Sequence, residues 1–463
     1  MEETGQKQWP AHGLALESEF CDIVRSLGGD VESRELGGAY LAASPAAYHG
    51  GEQAWDLVPK MLDVETYKLL ENAAQNIYDI MTAVTQRCIE DPVFCERFGL
   101  PASYGELMAI PQHYPQLIPL ARVDLFLNEQ TGDYWLCEVN TDGTFGYTVA
   151  DEVTTAICRS RAYEQFANRH PHVRTFEHRE AWIRALGDIY RAWEAPTDLH
   201  PDAPDLAVVD FPESAERSEF DDFIQRFLER GVSARFSDIR RLKVKVHGGI
   251  LRLMDDVGPI SCAWMRAVTG EILDKPCLGT EALMQAARQN LACIIGGFRT
   301  WPVATKTFFA VLHDSDAESF LSPTQQDFVK RHVPVTYRLQ DGFDMRRFED
   351  RARWIAKPAG CYNARDVVAG ADVGSEGWES ALRGLAGKGG VVQRYAPQFA
   401  IPVIPGNSLP AGADPLDFRP ANTMMGLFLF NGRFSGVYSR CGYGRVIGEA
   451  QGRLNQGCLI VDE

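Results

Sequence analysis

The sequence lacks the common signatures of phosphate binding and of covalent catalysis. No Walker A motif ending in GKS or GKT is present, no GxGxxG motif follows a predicted strand, and neither HExxH nor GxSxG occurs. These absences exclude the usual P-loop, dinucleotide-binding, zinc-protease and serine-hydrolase signatures. Any phosphate chemistry must therefore rely on other lysines, arginines and oxygen ligands.

Basic residues are outnumbered by acidic ones, 46 against 63, which gives a net charge of −17. Binding to nucleic acid or to an anionic membrane favours a basic face, so we expect neither partner. No apolar run approaches the roughly 18 residues of a membrane span, and the first residues lack the pattern of a signal peptide. The 11 cysteines are scattered, without CxxC pairs or zinc spacing. This usage predicts reduced thiols in a cytoplasmic protein.

What the sequence does contain is two runs of alternating residues that predict a pair of strands joined by a polar turn at 128–133. Arg122 and Asp124 share one face of the first strand, and Glu138 and Asn140 share one face of the second. Two carboxylates and an amide oxygen suit Mg²⁺, and a nearby arginine suits a phosphate-bearing site. The alternative is an exposed hairpin with solvated charges.

Helical and mixed patterns divide the rest of the chain, whose length predicts two or three packed units. Residues 1–110 are predicted to be largely helical, and another helix is predicted over 148–167. From 169 to 300, a strand, a helix over 216–230 and a second strand predict a βαβ unit, followed by a hairpin at 242–254.

The last third of the chain contains isolated polar residues that suit a bound nucleotide. Lys306 follows an apolar turn and Lys357 ends a strand, so either ammonium group could meet phosphate oxygens or be an ordinary surface lysine. Gln393 follows two valines on a strand and either helps to bind a base or is a satisfied strand amide. Arg440 ends a hairpin that turns at Asn431-Gly432; it could hold a carboxylate or phosphoryl charge, or form a structural salt bridge.

Two further residues are weaker candidates. Cys361 lies beside Gly360 in a predicted loop and is a hypothetical nucleophile, although a reduced structural thiol explains it as well. Arg266 follows a predicted strand of the middle unit and is a candidate anchor for a substrate carboxylate.

Together these motifs resemble those of the circularly permuted ATP-grasp ligases, the group that includes glutathionylspermidine synthase. The resemblance covers about residues 110–463. In that family an RxD…ExN hairpin precedes the nucleotide-binding lysines. The matching residues here are Arg122, Asp124, Glu138 and Asn140 for the hairpin, Lys306 and Lys357 for the lysines, Gln393 for the strand beside adenine, and Arg440 for the arginine near the second hairpin.

The resemblance implies a mixed α/β (α+β) protein with an ATP-grasp fold in circularly permuted order. Its parts are an N-terminal helical region at 1–110, the metal-binding hairpin part of the ATP-grasp fold at 111–168, a pre-ATP-grasp-like α/β substrate domain at 169–300, and the ATP-binding part of the ATP-grasp fold at 301–463.

The implied activity is an ATP- and Mg²⁺-dependent ligation of a small-molecule carboxylate to an amine through an acyl-phosphate. By the same resemblance, Mg²⁺ is held by Asp124, Glu138 and Asn140, ATP by Lys306, Lys357 and Gln393, and the catalytic arginines are Arg122 and Arg440.

Two positions depart from the family pattern. Asp366 stands in the loop after Lys357-Pro358 where glycine is common, and Arg394 stands where an acidic residue is frequent. An aspartate in that loop would repel phosphate and stiffen the loop. The alternatives are therefore a non-catalytic nucleotide-binding protein with a degenerate site, and a phosphotransferase without an amine acceptor.

Overall fold

The computed structural model describes residues 9–46, 53–141, 143–196, 198–360, 364–410 and 412–462. The candidate nucleophile Cys361 lies outside these ranges. Within them, none of the helices has the length and apolar character needed to cross a membrane.

Strands and helices alternate along most of the described chain. The strands are β1 (Trp55–Leu62), β2 (Leu120–Leu127), β3 (Tyr134–Asn140), β4 (Val173–Thr175), β5 (Asp205–Asp210), β6 (Ser233–Asp238), β7 (Lys243–His247), β8 (Ile250–Met254), β9 (Cys262–Met265), β10 (Cys293–Ile295), β11 (Thr336–Arg338), β12 (Trp354–Lys357), β13 (Val368–Ala369), β14 (Val391–Arg394), β15 (Ala400–Val403), β16 (Arg419–Phe430), β17 (Arg433–Gly442) and β18 (Leu454–Val461). The α-helices are α1 (His12–Ser26), α2 (Val31–Ala43), α3 (Val64–Glu90), α4 (Pro92–Cys95), α5 (Tyr104–Met108), α6 (Tyr147–Cys158), α7 (Arg161–Arg169), α8 (His178–Arg191), α9 (Arg217–Glu229), α10 (Thr269–Asp274), α11 (Leu278–Arg288), α12 (Trp301–Ala304), α13 (Thr307–Val311), α14 (Pro323–His332) and α15 (Ser375–Leu385).

The largest sheet combines strands from the beginning and the end of the chain. Its order is β1-β18-β17-β16-β2-β3, with β15 added on β16 and β4 on β18. Strand β1 runs parallel to β18, whereas β16 is antiparallel to both β2 and β17. The predicted hairpin β16–β17 is confirmed, and Asn431 and Gly432 have φ values of 49° and 79° at its turn, as the Asn-Gly pair of a tight hairpin requires.

Strand β1 is an element that the prediction of a largely helical segment over 1–110 missed. All eight of its residues are buried, so it shows no alternation of apolar and polar positions. It also contains Lys60, whose buried Nζ donates to Glu129 Oε1 at 2.6 Å and pairs with Glu17 at 2.7 Å. A lysine in a fully buried strand is uncommon because its charge must be paired within the protein.

The middle of the chain confirms the predicted βαβ unit and hairpin. Strands β5 and β6 pair in parallel around α9, and the four-stranded parallel sheet has the order β10-β9-β5-β6. Strands β7 and β8 form the antiparallel hairpin. The prediction of one helix over 148–167 was wrong, because α6 and α7 are separate helices. Ser160 between them has an extended backbone, and its Oγ caps α7 by accepting from Tyr163 N at 3.0 Å.

A third sheet carries two of the candidate nucleotide residues. It is antiparallel with the order β11-β14-β12-β13. Helix α15 packs on it through Trp378 and Leu382, which share a small core with Phe348, Ala356 and Val392. Lys357 is the last residue of β12 and Gln393 lies on β14.

Candidate functional site

The pairing of β2 with β3 brings the four predicted hairpin residues together. Arg122 lies opposite Asn140, and Asp124 lies opposite Glu138. Directly opposed residues of an antiparallel pair have their side chains on the same face. The expected convergence of these four side chains on one face of the sheet is therefore what the structure has.

Asp124 is fully buried and lies between two arginines. Arg122 donates to it in a forked geometry, from Nε to Oδ1 at 2.9 Å and from Nη2 to Oδ2 at 3.1 Å. Arg440, on β17, donates from Nη2 to Asp124 Oδ1 at 2.7 Å. Tyr438 lies beneath both guanidinium groups, with its ring centre 5.8 Å from Arg122 Cζ and 4.8 Å from Arg440 Cζ. Two buried positive charges thus share one carboxylate.

Gly426 provides the space in which these side chains meet, and the sequence analysis did not identify it. It lies opposite Asp124 on β16. A Cβ atom at this position would be 2.8 Å from Arg122 Cδ, 2.8 Å from Asp124 Oδ1 and 3.0 Å from Arg440 Nη2. The sequence signal is a lone glycine within the apolar run 424–430 of β16, and glycine inside a strand often marks a close approach by another group.

Glu138 shares the face of Asp124 and interacts with two lysines as well as with the charge of Arg122. Lys306 Nζ donates to Glu138 Oε2 at 2.5 Å, and Asn140 Nδ2 lies 3.4 Å from Glu138 Oε1. Burial alone would raise the pKa of Glu138, but the charges of Lys306 and Lys357 outweigh this effect and lower it well below its usual value. Glu138 is therefore ionised across the physiological pH range.

Lys357 and Gln393 form a buried pair behind Glu138. Lys357 Nζ donates to Gln393 Oε1 at 2.7 Å and to the carbonyl of Cys137 at 3.1 Å. Gln393 Nε2 in turn donates to Thr336 Oγ1 at 3.2 Å. Its third N–H points to Cys137 Sγ at 4.0 Å, a weak acceptor that a stronger one such as a phosphate oxygen could replace.

One pocket joins these elements. Its lining residues are Cys137, Glu138, Val139, Thr305, Lys306, Phe309, Lys357, Val391 and Gln393. The main chain also links the two lysine segments, because Lys306 N donates to the carbonyl of Ala359 at 3.1 Å. Cys137, Val139, Thr305, Phe309 and Val391 were not predicted, since they are ordinary residues whose position in the pocket depends on the fold.

The donor set fits a hard divalent cation such as Mg²⁺. Asp124 and Glu138 are register partners, and Asn140 adds an amide oxygen two residues from Glu138. Within the described residues, His, Cys, Asp and Glu side chains do not come together in any group of three or more that could hold a metal ion. A metal bound by Asp124 and Glu138 would therefore need the amide oxygen of Asn140 as its third protein ligand. Asp124 Oδ1 already accepts from both arginines, which leaves Oδ2, bound by Arg122 alone, as its better ligand atom.

Arg266 holds main chain rather than an open substrate site. It is buried, and its guanidinium donates to the carbonyl oxygens of Thr144 and, at 3.2 Å, of Gly143. These residues follow directly on the β2–β3 hairpin. The loop after Lys357 also has a defined feature: Asp366 has a φ of 57°, a left-handed conformation that glycine adopts easily and aspartate tolerates.

Comparison with known proteins gives a likeness in fold. No protein-family model and no curated protein matches the sequence. The chain is similar to the structure of a glutathione synthetase like-effector from Globodera pallida in its apoform, with a TM-score of 0.58, 11% sequence identity, and coverage of 94% of this chain and 97% of that chain.

A second solved structure, of a proposed gamma-glutamylcysteine synthetase from Methylobacillus flagellatus KT, has a TM-score of 0.36 and 12% identity over 81% of this chain and 84% of that chain. That score is too low to indicate a shared fold. The likeness to the effector, at its low identity, shows a shared mixed α/β architecture along almost the whole of both chains.

Proposed function

We propose that the protein is an ATP- and Mg²⁺-dependent ligase that joins a small-molecule carboxylate to an amine through an acyl-phosphate, on an ATP-grasp fold in circularly permuted order. The observation that carries the proposal is the shared pocket. Lys306 lies 168 residues after Glu138 in the chain, yet the two side chains are in contact there, beside Lys357 and Gln393. The fold shared with a protein described as glutathione synthetase-like supports the ligase class.

The side chains divide the work of phosphoryl transfer between them. Lys306 and the third N–H of Lys357 neutralise the oxygens of the nucleotide, and Gln393 lies where the base would contact β14. Arg122 and Arg440 do not line the pocket, and from their position on Asp124 they supply positive charge that stabilises the charge developing on the transferred phosphoryl group. A Mg²⁺ ion on Asp124, Glu138 and Asn140 would supply charge neutralisation between phosphate oxygens.

The reaction requires no nucleophile from the protein. A substrate carboxylate oxygen attacks the γ-phosphorus, a new C–O–P linkage forms, and the bond to ADP breaks. The amine nitrogen then attacks the acyl carbon, a C–N bond forms, phosphate leaves with the C–O bond electrons, and the amine loses a proton. Positioning and charge stabilisation suffice for such a sequence.

The decisive experiment measures ADP release with ATP, Mg²⁺ and a mixture of amino acids as carboxylates and amines. The wild-type protein should release ADP, and Glu138→Gln should abolish release while leaving the fold intact, as judged by circular dichroism. Unchanged turnover in this variant would refute the role of Glu138.

A non-catalytic nucleotide-binding protein is the second candidate, and the observation that favours it is Asp366. This residue places a negative charge in the loop that follows Lys357-Pro358, where phosphate would be covered. Calorimetric titration with ATP and Mg²⁺ separates the two candidates: binding without ADP release under any substrate mixture would favour the second. A stable phosphorylated product without an amide would instead identify a phosphotransferase.

A further inference from the structure

The hairpin of β7 and β8 carries positive charge in a chain that is acidic overall. Residues 239–254 contain five basic residues and no acidic one, whereas the whole chain has a net charge of −17. None of the five lines the pocket around Glu138, so the proposed ligase chemistry makes no use of them. They are Arg240, Arg241, Lys243, Lys245 and Arg252.

Two of these charges face each other across the hairpin. Lys245 lies directly opposite Arg252, which places both side chains on one face, and like charges in this arrangement destabilise a strand pair. Lys243 Nζ pairs with Asp256 Oδ1 at 2.8 Å. Arg252 donates instead to the carbonyl of Asp198 at 2.9 Å, and the exposed Lys245 has no acidic partner among the described residues. An anionic group bound over this face would therefore relieve the repulsion.

Strand β7 also has an unpaired edge. Leu253 O, on β8, accepts from Ile260 N at 2.9 Å, so the main chain of Leu253 points away from β7. Its register partner Val244 therefore points away from β8, and so does Val246, because inward and outward positions alternate along an antiparallel strand. In the part of the chain that the structure describes, the main-chain N–H and C=O of Val246 have no partner, and this residue is 68% exposed. Such an edge can pair with a further strand.

The charges on this edge suit an acidic strand rather than a second copy of the chain. If two copies paired antiparallel with Val244 opposite Val246, the two Lys245 side chains would lie directly opposite each other and repel. A strand with carboxylates at the matching positions would meet Lys245 with the opposite charge. A nucleic acid also offers negative charge, but its backbone cannot complete the N–H and C=O pattern of a strand edge.

We propose that the free edge of β7 binds an extended acidic peptide as an added antiparallel strand. Alternate carboxylate side chains of the peptide would lie beside Lys245, on the face that it shares with Arg252, and the apolar residues between them would lie beside Val246. Main-chain hydrogen bonds to Val246 would hold the peptide, and the charge of the hairpin would select it.

Fluorescence anisotropy with the full-length protein tests the proposal, with a labelled Glu-Val-Glu-Val-Glu peptide as the probe. Two comparison peptides separate the contributions of charge and hydrogen bonding. Gln-Val-Gln-Val-Gln lacks the charge, whereas Glu-Pro-Glu-Pro-Glu keeps the charge but lacks the N–H groups that would face β7. Saturable binding of the probe is expected, with binding of either comparison peptide at least fivefold weaker.

Lys245→Glu should weaken binding of the probe at least fivefold. It should also keep or raise the melting temperature, because a glutamate opposite Arg252 replaces a like-charge pair with an opposite-charge pair. Lys388→Glu, at an exposed lysine outside the hairpin, is the matched control, since it changes the net charge equally and should bind the probe as the wild type does. Should Lys245→Glu fail to fold, Lys245→Met decides the outcome.

Four results would overturn the proposal. They are no saturable binding of the probe to the wild type, equal binding of the probe and the proline peptide, undiminished binding to the Lys245 variant, and displacement of the probe by an equal concentration of a single-stranded oligonucleotide. The last result would assign the basic face of the hairpin to nucleic acid instead.

Discussion

The two carboxylates of the candidate site are register partners on neighbouring strands, yet their surroundings differ. Asp124 has a side-chain exposure of 0% and is bound by Arg122 and Arg440. The Glu138 side chain is 27% exposed, and its charged partner Lys306 comes from the segment between α12 and α13. Asp124 therefore holds two buried arginines together, whereas Glu138 lines the pocket and is the carboxylate that the proposed nucleotide would reach first.

The largest expected effect is the loss of stability in Asp124→Asn. Removing this charge leaves two buried guanidinium groups without a counter-charge, and breaking such a pair costs about 3–5 kcal/mol. Thermal and denaturant unfolding followed by circular dichroism would measure the loss. Glu138→Gln is the matched control, because its carboxylate is partly exposed and solvent screening should make its contribution smaller than that of Asp124. Equal losses of stability in the two variants would contradict the inference that Asp124 and Glu138 have different roles.

Gly426→Ala tests how tightly the side chains around Asp124 are packed. The added methyl group would lie 2.8 Å from Arg122 Cδ and Asp124 Oδ1, so the three charged side chains must move apart. Overpacking of this kind costs about 1–3 kcal/mol, and ADP release should fall with it.

The control is Gly384→Ala in helix α15, where nothing lies within 4 Å of the added atom. Gly384 lies in the last turn of α15, so alanine should stabilise the protein there by at most about 0.5–1 kcal/mol. An unchanged melting temperature for Gly426→Ala would show that Arg122, Asp124 and Arg440 rearrange at little cost in stability.

Lys357→Met tests the surroundings of Glu138 through the affinity for ATP rather than through the stability of the fold. The substitution removes one of the two lysine charges around Glu138 and should weaken ATP binding at least tenfold, or about 1.4 kcal/mol. Isothermal titration with a non-hydrolysable ATP analogue and Mg²⁺ would measure the change. The exposed Lys388, replaced in the same way, should bind the analogue with wild-type affinity. Wild-type affinity of Lys357→Met for the analogue would show that Lys357 does not contribute to nucleotide binding.

The smallest expected effect is the dependence of stability on pH. The folded protein lowers the pKa of Glu138 below its ordinary value of 4.5, so its ionised form stabilises the fold above that pH, and the contribution is lost as the pH falls below it. The difference in melting temperature between wild type and Glu138→Gln should therefore be constant from pH 5 to pH 8 and shrink below about pH 4.5. A difference that grows on acidification would contradict the assignment of Glu138 as a paired carboxylate.

Much of the site could be predicted because its residues lie on elements with strong local signals. Alternation along β2 and β3 determines which of Arg122, Asp124, Glu138 and Asn140 share a face, and the Asn431-Gly432 turn determines the hairpin that presents Arg440. These features depend on neighbours within a short stretch of chain, so the sequence alone contains them.

Other features depend on distant contacts and could not be predicted. Strand β1 has no alternation because both of its faces are covered, and its Lys60 is acceptable only because Glu17 and Glu129 meet it. Gly426 is significant only when β16 lies beside β2. Arg266 looked suited to a substrate, but the carbonyls of Gly143 and Thr144 accept from its two Nη groups.

The most direct test of the central claim is a crystal structure with a non-hydrolysable ATP analogue and Mg²⁺. The account predicts that the triphosphate lies between Glu138, Lys306 and Lys357, with the metal on the Asp124, Glu138 and Asn140 oxygens. A nucleotide bound away from these residues, or a metal that contacts neither carboxylate, would contradict it.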